Sequence, residues 1–513
     1  MSRIVRLGTL LAVGFAAVII VAQNQNPEER NRLRTRAGEP AVAIPEPSVN
    51  ATHVPIGYRV EMVMQDLVYP TSVEFDKAGN LYVAEGGYSF GAAVTAPARI
   101  IRVTPNGRMK VVASELSGPV TDLLWGNDGL YISQRGKISL LDTAAGAVRD
   151  LITGLPSDGD YQNNQLALGP DGKIYFGQGT ATNSGVVGLD NYQMGWLAKN
   201  PGVHDIPPQE IVLRNTEYQS IDPLTQPQTE MVSTGPFLPF AQNVKNAHSY
   251  KVKADVRANG TILRMNRDGS GLEVYAWGLR NPAGVLWAPD GKLYVTENGF
   301  DVRGSRPIAN DTEDLYAIKE GGWYGWPDYA GGRPVTDPRF APPRGAAPQF
   351  LMENHPPVEK PLLMFPPHAG IAKLDASPND RFGRRGDLFV AFQGYMIPTP
   401  ASVPRDGHPV VRINLGNQKA ETFFAGLKKR DAQPATGVYT GAETVTDGPR
   451  RPVDVRFSPD GQAMYIVDFG ASLVELTGPR PLPGSGVIWR VVPKGVNVTP
   501  QANLSAKNAN QER

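Results

Sequence analysis

Ala288-Pro289-Asp290-Gly291-Lys292-Leu293-Tyr294-Val295 is the stretch on which the reading of the fold turns. Proline presets φ at one turn position, glycine accepts a positive φ at another, and Leu-Tyr-Val supplies a short β-prone run. Together they predict a hairpin. The unit recurs over residues 76–83, 126–132, 169–176, 384–390 and 458–466, the fifth in a weaker form. Its aromatic positions, Tyr82, Tyr131, Tyr175, Tyr294, Phe389 and Tyr465, are separated by 49, 44, 119, 95 and 76 residues. A spacing of about 40–50 residues with strand–turn–strand content is one propeller blade. The longer intervals are read as a blade plus loop insertions. The expectation is therefore an all-β, six-bladed β-propeller of four-stranded blades with a long insertion over about residues 188–259. A β-sandwich with coincidental Asp-Gly hairpins is the alternative.

Composition is compatible with that reading and excludes several functions. The 513 residues are 41% hydrophobic and 20% charged, with 55 glycines and 46 prolines to supply turns. A net charge of +1 gives no electrostatic case for nucleic acid or an anionic membrane surface. The absence of cysteine removes disulfides, thiolate metal sites, a haem attachment motif and a lipidated cysteine.

Arg3 and Arg6 precede an uncharged run over residues 7–22. As a helix it would span about 24 Å, short of the roughly 30 Å hydrocarbon core. Residues 1–22 are thus expected to be a signal peptide or signal anchor, with a periplasmic or secreted body that an uncleaved segment would tether to the membrane. Residues 23–54, which include Pro27, Pro40, Pro45 and Pro47, read as a flexible tether. The propeller is expected over 55–493 and a disordered tail over 494–513. The polar insertion at 188–259 is expected over one face, near the mouth of the central channel, because long loops usually serve a site.

Around the decisive hairpin stand Gly278-Leu279-Arg280-Asn281-Pro282-Ala283-Gly284, the acidic residues Asp311, Glu313 and Asp314, and Gly321-Gly322-Trp323-Tyr324-Gly325-Trp326-Pro327. In combination they resemble the soluble glucose/sorbosone dehydrogenase family, six-bladed propellers that oxidise sugars with pyrroloquinoline quinone (PQQ) and calcium. The likeness runs from about residue 57 to 493. It implies that Arg280 and Asn281 bind the quinone, and that the carbonyls of Gly299 and Phe300 hold calcium beside it. It implies further that Asp314 and the Tyr324 carbonyl hold a structural calcium. Trp323 is a candidate aromatic wall for a planar cofactor or a sugar ring.

The family's general-base histidine is matched by Tyr161, and its nearby acidic residue by Thr180. Free tyrosine titrates near 10, far from the neutral range that suits a base. Among the six histidines, His368, just before the fifth blade, is the best candidate for a displaced base; the others are His53, His204, His248, His355 and His408. The resemblance implies a sugar or related alcohol as substrate and an external electron acceptor, a cytochrome or a quinone, since no haem motif exists here. Two other readings stay open: a ligand-binding propeller without chemistry, and a lactonase-like hydrolase with a channel metal on Glu297, Asn298 and Asp122 or Asp454.

Overall fold

The computed structural model describes residues 45–87, 91–92, 96–225, 228–394, 408–427, 447–475, 478–499 and 503–510. The expected signal segment and most of the tether lie outside these residues. No helix among the described residues is long and apolar enough to cross a membrane.

The chain forms six four-stranded antiparallel sheets arranged as blades. Blade 1 is Pro70–Phe75, Leu81–Glu85, Ala98–Val103 and Met109–Leu116, and blade 2 is Val120–Gly126, Gly129–Gln134, Lys137–Asp142 and Ala147–Thr153. Blade 3 joins Asn163–Leu168 and Ile174–Gln178 to Thr261–Met265 and Glu273–Trp277 across the long insertion. Blade 4 is Pro282–Trp287, Leu293–Glu297, Glu313–Ile318 and Leu363–Phe365. Blade 5 is Ile371–Ala376, Leu388–Phe392, Val410–Asn414 and Lys419–Gly426. Blade 6 takes Pro452–Phe457, Met464–Asp468 and Gly486–Pro493 from the C-terminal side and its outer strand, Tyr58–Leu67, from the N-terminal side. That pairing closes the ring with strands from both ends of the chain.

The repeated unit is the turn between the first and second strands of each blade. Gly291 adopts φ +78°, which glycine alone takes without strain. The turn aspartate then accepts a hydrogen bond from the tyrosine hydroxyl of the next strand. Tyr175 donates to Asp171 at 2.9 Å, Tyr294 to Asp290 at 2.8 Å and Tyr131 to Asp128 at 2.6 Å. In blade 5, where phenylalanine replaces tyrosine, Arg412 binds the turn residue Asp387 instead, at 2.6 Å. The second strands are buried along their whole length in every blade but the second, where only Gly129 is part-exposed.

Every innermost strand also carries a register shift near its start. Such bulges re-aim side chains, and here several point together. Lys373 of blade 5 donates to Asp122 of blade 2 at 2.9 Å and lies 3.1 Å from Asp454 of blade 6, while Ser72 of blade 1 bridges the two carboxylates. This buried axle contradicts the reading in which Asp122 or Asp454 binds a channel metal: both carboxylates already neutralise a lysine.

The tail is also not as expected. Leu504–Ser505 runs parallel to the outer strand of blade 6, pairing with Met64 and Gln65, and Ala506 and Ala509 enter the core. The polar composition hid this, because much of the docking is polar: Ser505 and Lys507 both donate to Asp66, at 2.6 and 2.9 Å, beside the packing of Leu504 and the two alanines. At the other end, Thr52–His53, assigned to the tether, pairs with Ala425 and Gly426 at the edge of blade 5.

Candidate functional site

The segments that lead into the inner strands of blades 3, 4 and 5 hold Tyr161, Arg280 and His368, so all three stand at the end of the propeller where inner strands begin. The structure brings them together through a residue the sequence did not flag, Asp301. Arg280 is 2% exposed and donates from Nη2 to Asp301 Oδ2 at 2.7 Å, from Nε to the Asn183 carbonyl at 3.2 Å, and from Nη1 to the Gly299 carbonyl. His368 Nδ1 lies 3.4 Å from the other oxygen of Asp301. The Tyr161 ring sits under the Arg280 guanidinium, 4.9 Å from ring centre to Cζ.

A second cation closes the cluster. Arg303 donates to Asp301 at 3.0 Å, Asp190 at 2.7 Å and Asp160 at 2.5 Å. Burial alone would raise the Asp301 pKa, but Arg280, Arg303 and His368 together hold it well below the usual carboxylate range. Burial pushes the Tyr161 hydroxyl above its ordinary value, so it is a still poorer base than free tyrosine. Thr180, at the family's acidic position, spends its hydroxyl on the Thr182 carbonyl at 2.7 Å.

Asn281 is held between Asn164, which donates to its Oδ1 at 2.8 Å, and Asn298, whose Oδ1 receives its Nδ2 at 2.7 Å. Asn298 in turn donates to Glu313 at 2.6 Å. Beyond it lies an acidic cluster, Glu297, Asp311, Glu313 and Asp314, whose carboxylates form no ion pair among the described residues, although the Arg280 charge acts on the first three. Burial, then mutual repulsion, pushes Glu297 and Asp311 well above the carboxylate range. Burial pushes Glu313 up to about 7 and Asp314 up to about 6. Glu297 Oε1 accepts the Arg280 backbone N–H, but its Oε2 is buried without a partner.

Gly299 has no room for a side chain, since a Cβ would stand 2.3 Å from the Thr312 carbonyl and 2.8 Å from Asp311. Phe300 donates its backbone N–H to Asp311 at 2.7 Å while its ring is buried in an aromatic core with Trp277, Trp323 and Trp326. Asp314 accepts from Tyr316 at 3.1 Å, and the Tyr324 ring packs edge-on against Tyr316. Trp323 is 1% exposed and stacks on His355, so its ring is buried in that core. The aromatic residue that does touch the site is Trp326, whose Nε1 donates to the same Asn183 carbonyl as Arg280, at 3.3 Å.

These donors fit a divalent cation. An orphaned buried carboxylate oxygen and a cluster of raised carboxyls are what a hard cation relieves, and carbonyl oxygens are suitable co-ligands. Among the described residues no three or more His, Cys, Asp or Glu side chains converge as a metal set. A cation here would therefore combine carbonyls, such as those of Gly299 and Phe300, with at most two carboxylates. PQQ, a tricarboxylate, fits only alongside such a cation, because Arg280 and Arg303 are already outnumbered by Asp160, Asp190 and Asp301.

The insertion reaches this site. Asn183, just before it, donates to the Asp301 and Arg303 carbonyls at 2.8 and 3.1 Å, and Asp190, within it, binds Arg303. Asn183, Asp301 and Arg303 escaped sequence reasoning. The one available signal was the opposite charges of Asp301 and Arg303 in a loop following Glu297-Asn298-Gly299.

Comparison with known proteins bears on this region. Residues 242–394 match the Glucose / Sorbosone dehydrogenase family model, and residues 44–219 match a Domain of unknown function (DUF7133). A Quinoprotein glucose dehydrogenase B from Acinetobacter calcoaceticus is 29% identical over 194 residues, covering 36% of this chain and 29% of that protein's length. The holo PQQ domain of a pyranose dehydrogenase from Coprinopsis cinerea superposes with TM-score 0.51 at 16% identity, over 87% of this chain and 98% of that one. A PQQ-bound aldose sugar dehydrogenase from Streptomyces coelicolor aligns over 86% of this chain and 99% of that one, with TM-score 0.44 and 17% identity. The segment that matches the Glucose / Sorbosone dehydrogenase family model, residues 242–394, is the one that holds Arg280, Asp301 and His368.

Proposed function

We propose that this protein is an exported oxidoreductase that oxidises a sugar, or a related alcohol or aldehyde, with PQQ and calcium, and passes the electrons to an external cytochrome or quinone. The observation that carries the reading is the Arg280–Asp301–His368 cluster inside the family-matched segment. Arg280 and Asn281 would hold the quinone; the carbonyls of Gly299 and Phe300, with a carboxylate of the acidic cluster, would hold calcium. When bound, PQQ supplies a two-electron acceptor and calcium supplies the positive charge that polarises it.

The chain's own residues handle the proton. Oxidation of an alcohol requires the hydroxyl to lose a proton as its carbon loses a hydride, and His368 takes that proton. Asp301 faces Nδ1 of that ring and places a counter-charge beside the imidazolium as it forms. Arg280 and Arg303 keep Asp301 ionised for that task. Tyr161 supports Arg280 by a cation–π contact and takes no proton.

A second reading, a ligand-binding propeller without turnover, is favoured by tyrosine and threonine at the two family polar positions. Dye-linked oxidation of a panel of aldoses and alcohols by protein loaded with PQQ and calcium separates the two. Substrate-dependent dye reduction is expected. A loaded protein that turns over no member of the panel would leave the binding reading.

A further inference from the structure

A cleft beside the proposed site, lined in part by Arg303, plays no part in the chemistry above. Its volume is about 850 Å³, towards the upper end of the range for small-molecule sites. Its walls come from the parts of the chain that exceed a minimal blade. The first short helix of the long insertion, Leu189–Gln193, and the ribbon strand Tyr218–Ile221 form one side; residues 303–307 and 345–349 form the other.

The charged groups in these walls are already committed. Arg303 is shared by three aspartates. Arg306 binds Asp328 at 2.9 Å and three backbone carbonyls, and Glu217 accepts the Ser233 hydroxyl. An ion entering the cleft would find no counter-charge to spare. The remaining polar groups are less fully engaged. Ser220 Oγ and the second oxygen of Asp190, whose Oδ2 binds Arg303, are buried without a hydrogen-bond partner, which costs free energy. The amides of Gln193 and Gln219 are exposed and make no hydrogen bond among the described residues. Between them lie the half-buried Tyr218 ring and the exposed side chain of Ile221.

A wall of uncommitted amides, a hydroxyl and a carboxylate oxygen, interleaved with apolar surface, suits a neutral molecule with hydroxyls at its edge and C–H groups on its face. We propose that this cleft is an oligosaccharide subsite: it holds the sugar units that lie beyond the reacting one, so the substrate is a saccharide chain and not a lone monosaccharide. Arg303 links the two regions, lining the cleft on one side and binding Asp301, the partner of Arg280 and His368, on the other. The choice of a saccharide rests on the dehydrogenase reading; the neutral, hydroxyl-rich character of the occupant rests on the cleft alone.

The test is calorimetric titration of the full chain, with no cofactor added, using glucose, maltotriose and cellotriose as probes. At least one trisaccharide is expected to bind about tenfold more tightly than glucose. The double substitution Gln193→Ala/Gln219→Ala should reduce that preference about fivefold or more, as expected for the loss of two hydrogen bonds. Both residues are exposed, so folding should survive; an unchanged Tm checks this, and Ser220→Leu, which narrows the cleft, provides a second variant with the same expected loss. Equal affinity for glucose and both trisaccharides, or a preference untouched in both variants, would overturn the inference. Because the titration needs neither PQQ nor turnover, a protein that prefers trisaccharides but never takes up PQQ would keep this inference and end the dehydrogenase reading. A protein that oxidises glucose with no chain-length preference would do the reverse.

Discussion

Asp301→Asn is the substitution that probes the site most directly. Asp301 is buried, it accepts from Arg280 at 2.7 Å and Arg303 at 3.0 Å, and asparagine preserves its shape while removing its charge. Removing one partner of a buried ion pair costs about 3–5 kcal/mol because the other charge is left uncompensated. Arg303 keeps Asp160 and Asp190, so the loss falls on Arg280, which keeps only carbonyl acceptors. The lower end, about 3 kcal/mol, is therefore expected. An unfolding entropy of about 2.1 cal/mol/K per residue over the unit Pro45–Arg513, roughly 470 residues, comes to about 1 kcal/mol/K. The variant should thus melt about 3 °C lower by calorimetry. If the cost comes from the stranded Arg280 charge, Arg280→Met in the same chain should recover part of it, giving a coupling of about 1 kcal/mol or more. A shift of less than about 1 °C, or a cycle with no coupling, would refute the assignment of Asp301 as counter-charge to Arg280.

His368→Gln should lower kcat about 10²-fold or more, the usual contribution of a general base, whereas Tyr161→Phe, which keeps the ring under Arg280, should change kcat by less than about threefold and leave the pH–rate profile in place. Dye-linked kinetics read both, and the opposite pattern would make Tyr161 the base. His408 gives a pH signature of the fold itself. Burial pushes its pKa down to about 3, so below pH 6.5 the unfolded chain binds a proton that the native protein refuses. Stability is lost as pH falls from 6.5 towards 3, by up to about 1.4 kcal/mol per pH unit. Denaturant titrations between pH 7 and 4 should show wild type losing more stability than His408→Gln; parallel curves would contradict the shift.

How much was legible in the sequence follows from how local each interaction is. The hairpins of blades 1–4 were readable because the motif is its own bond: Tyr294 reaches Asp290 four residues away, and Tyr175 reaches Asp171 likewise. Arg280 and Asn281 stood out for their neighbours, Pro282 and Gly284. His368 could be singled out only as a histidine before an apolar strand; its partner Asp301 is chosen by the closure of blades 4 and 5. Asn183 and Arg280 are 97 residues apart, and Arg303 and Asp160 are 143 apart, distances over which no periodicity carries information. Trp323 could not be placed from the sequence, because an aromatic in a glycine-rich run looks the same whether it packs in a core or lines a site. The buried lysine axle was equally invisible, since Lys373, Asp122 and Asp454 meet only when the ring is complete.

The acidic cluster around Glu297 and Asp311, with Arg280, is proposed to receive calcium and PQQ together. The decisive measurement is titration of the cofactor-free protein with PQQ, with calcium present and with calcium chelated, followed by absorbance and calorimetry. Saturable binding is expected only with calcium, and Arg280→Lys, which keeps the charge but loses the planar fork, should weaken it about tenfold or more. No binding in the presence of calcium, or binding indifferent to both calcium and Arg280, would contradict the account.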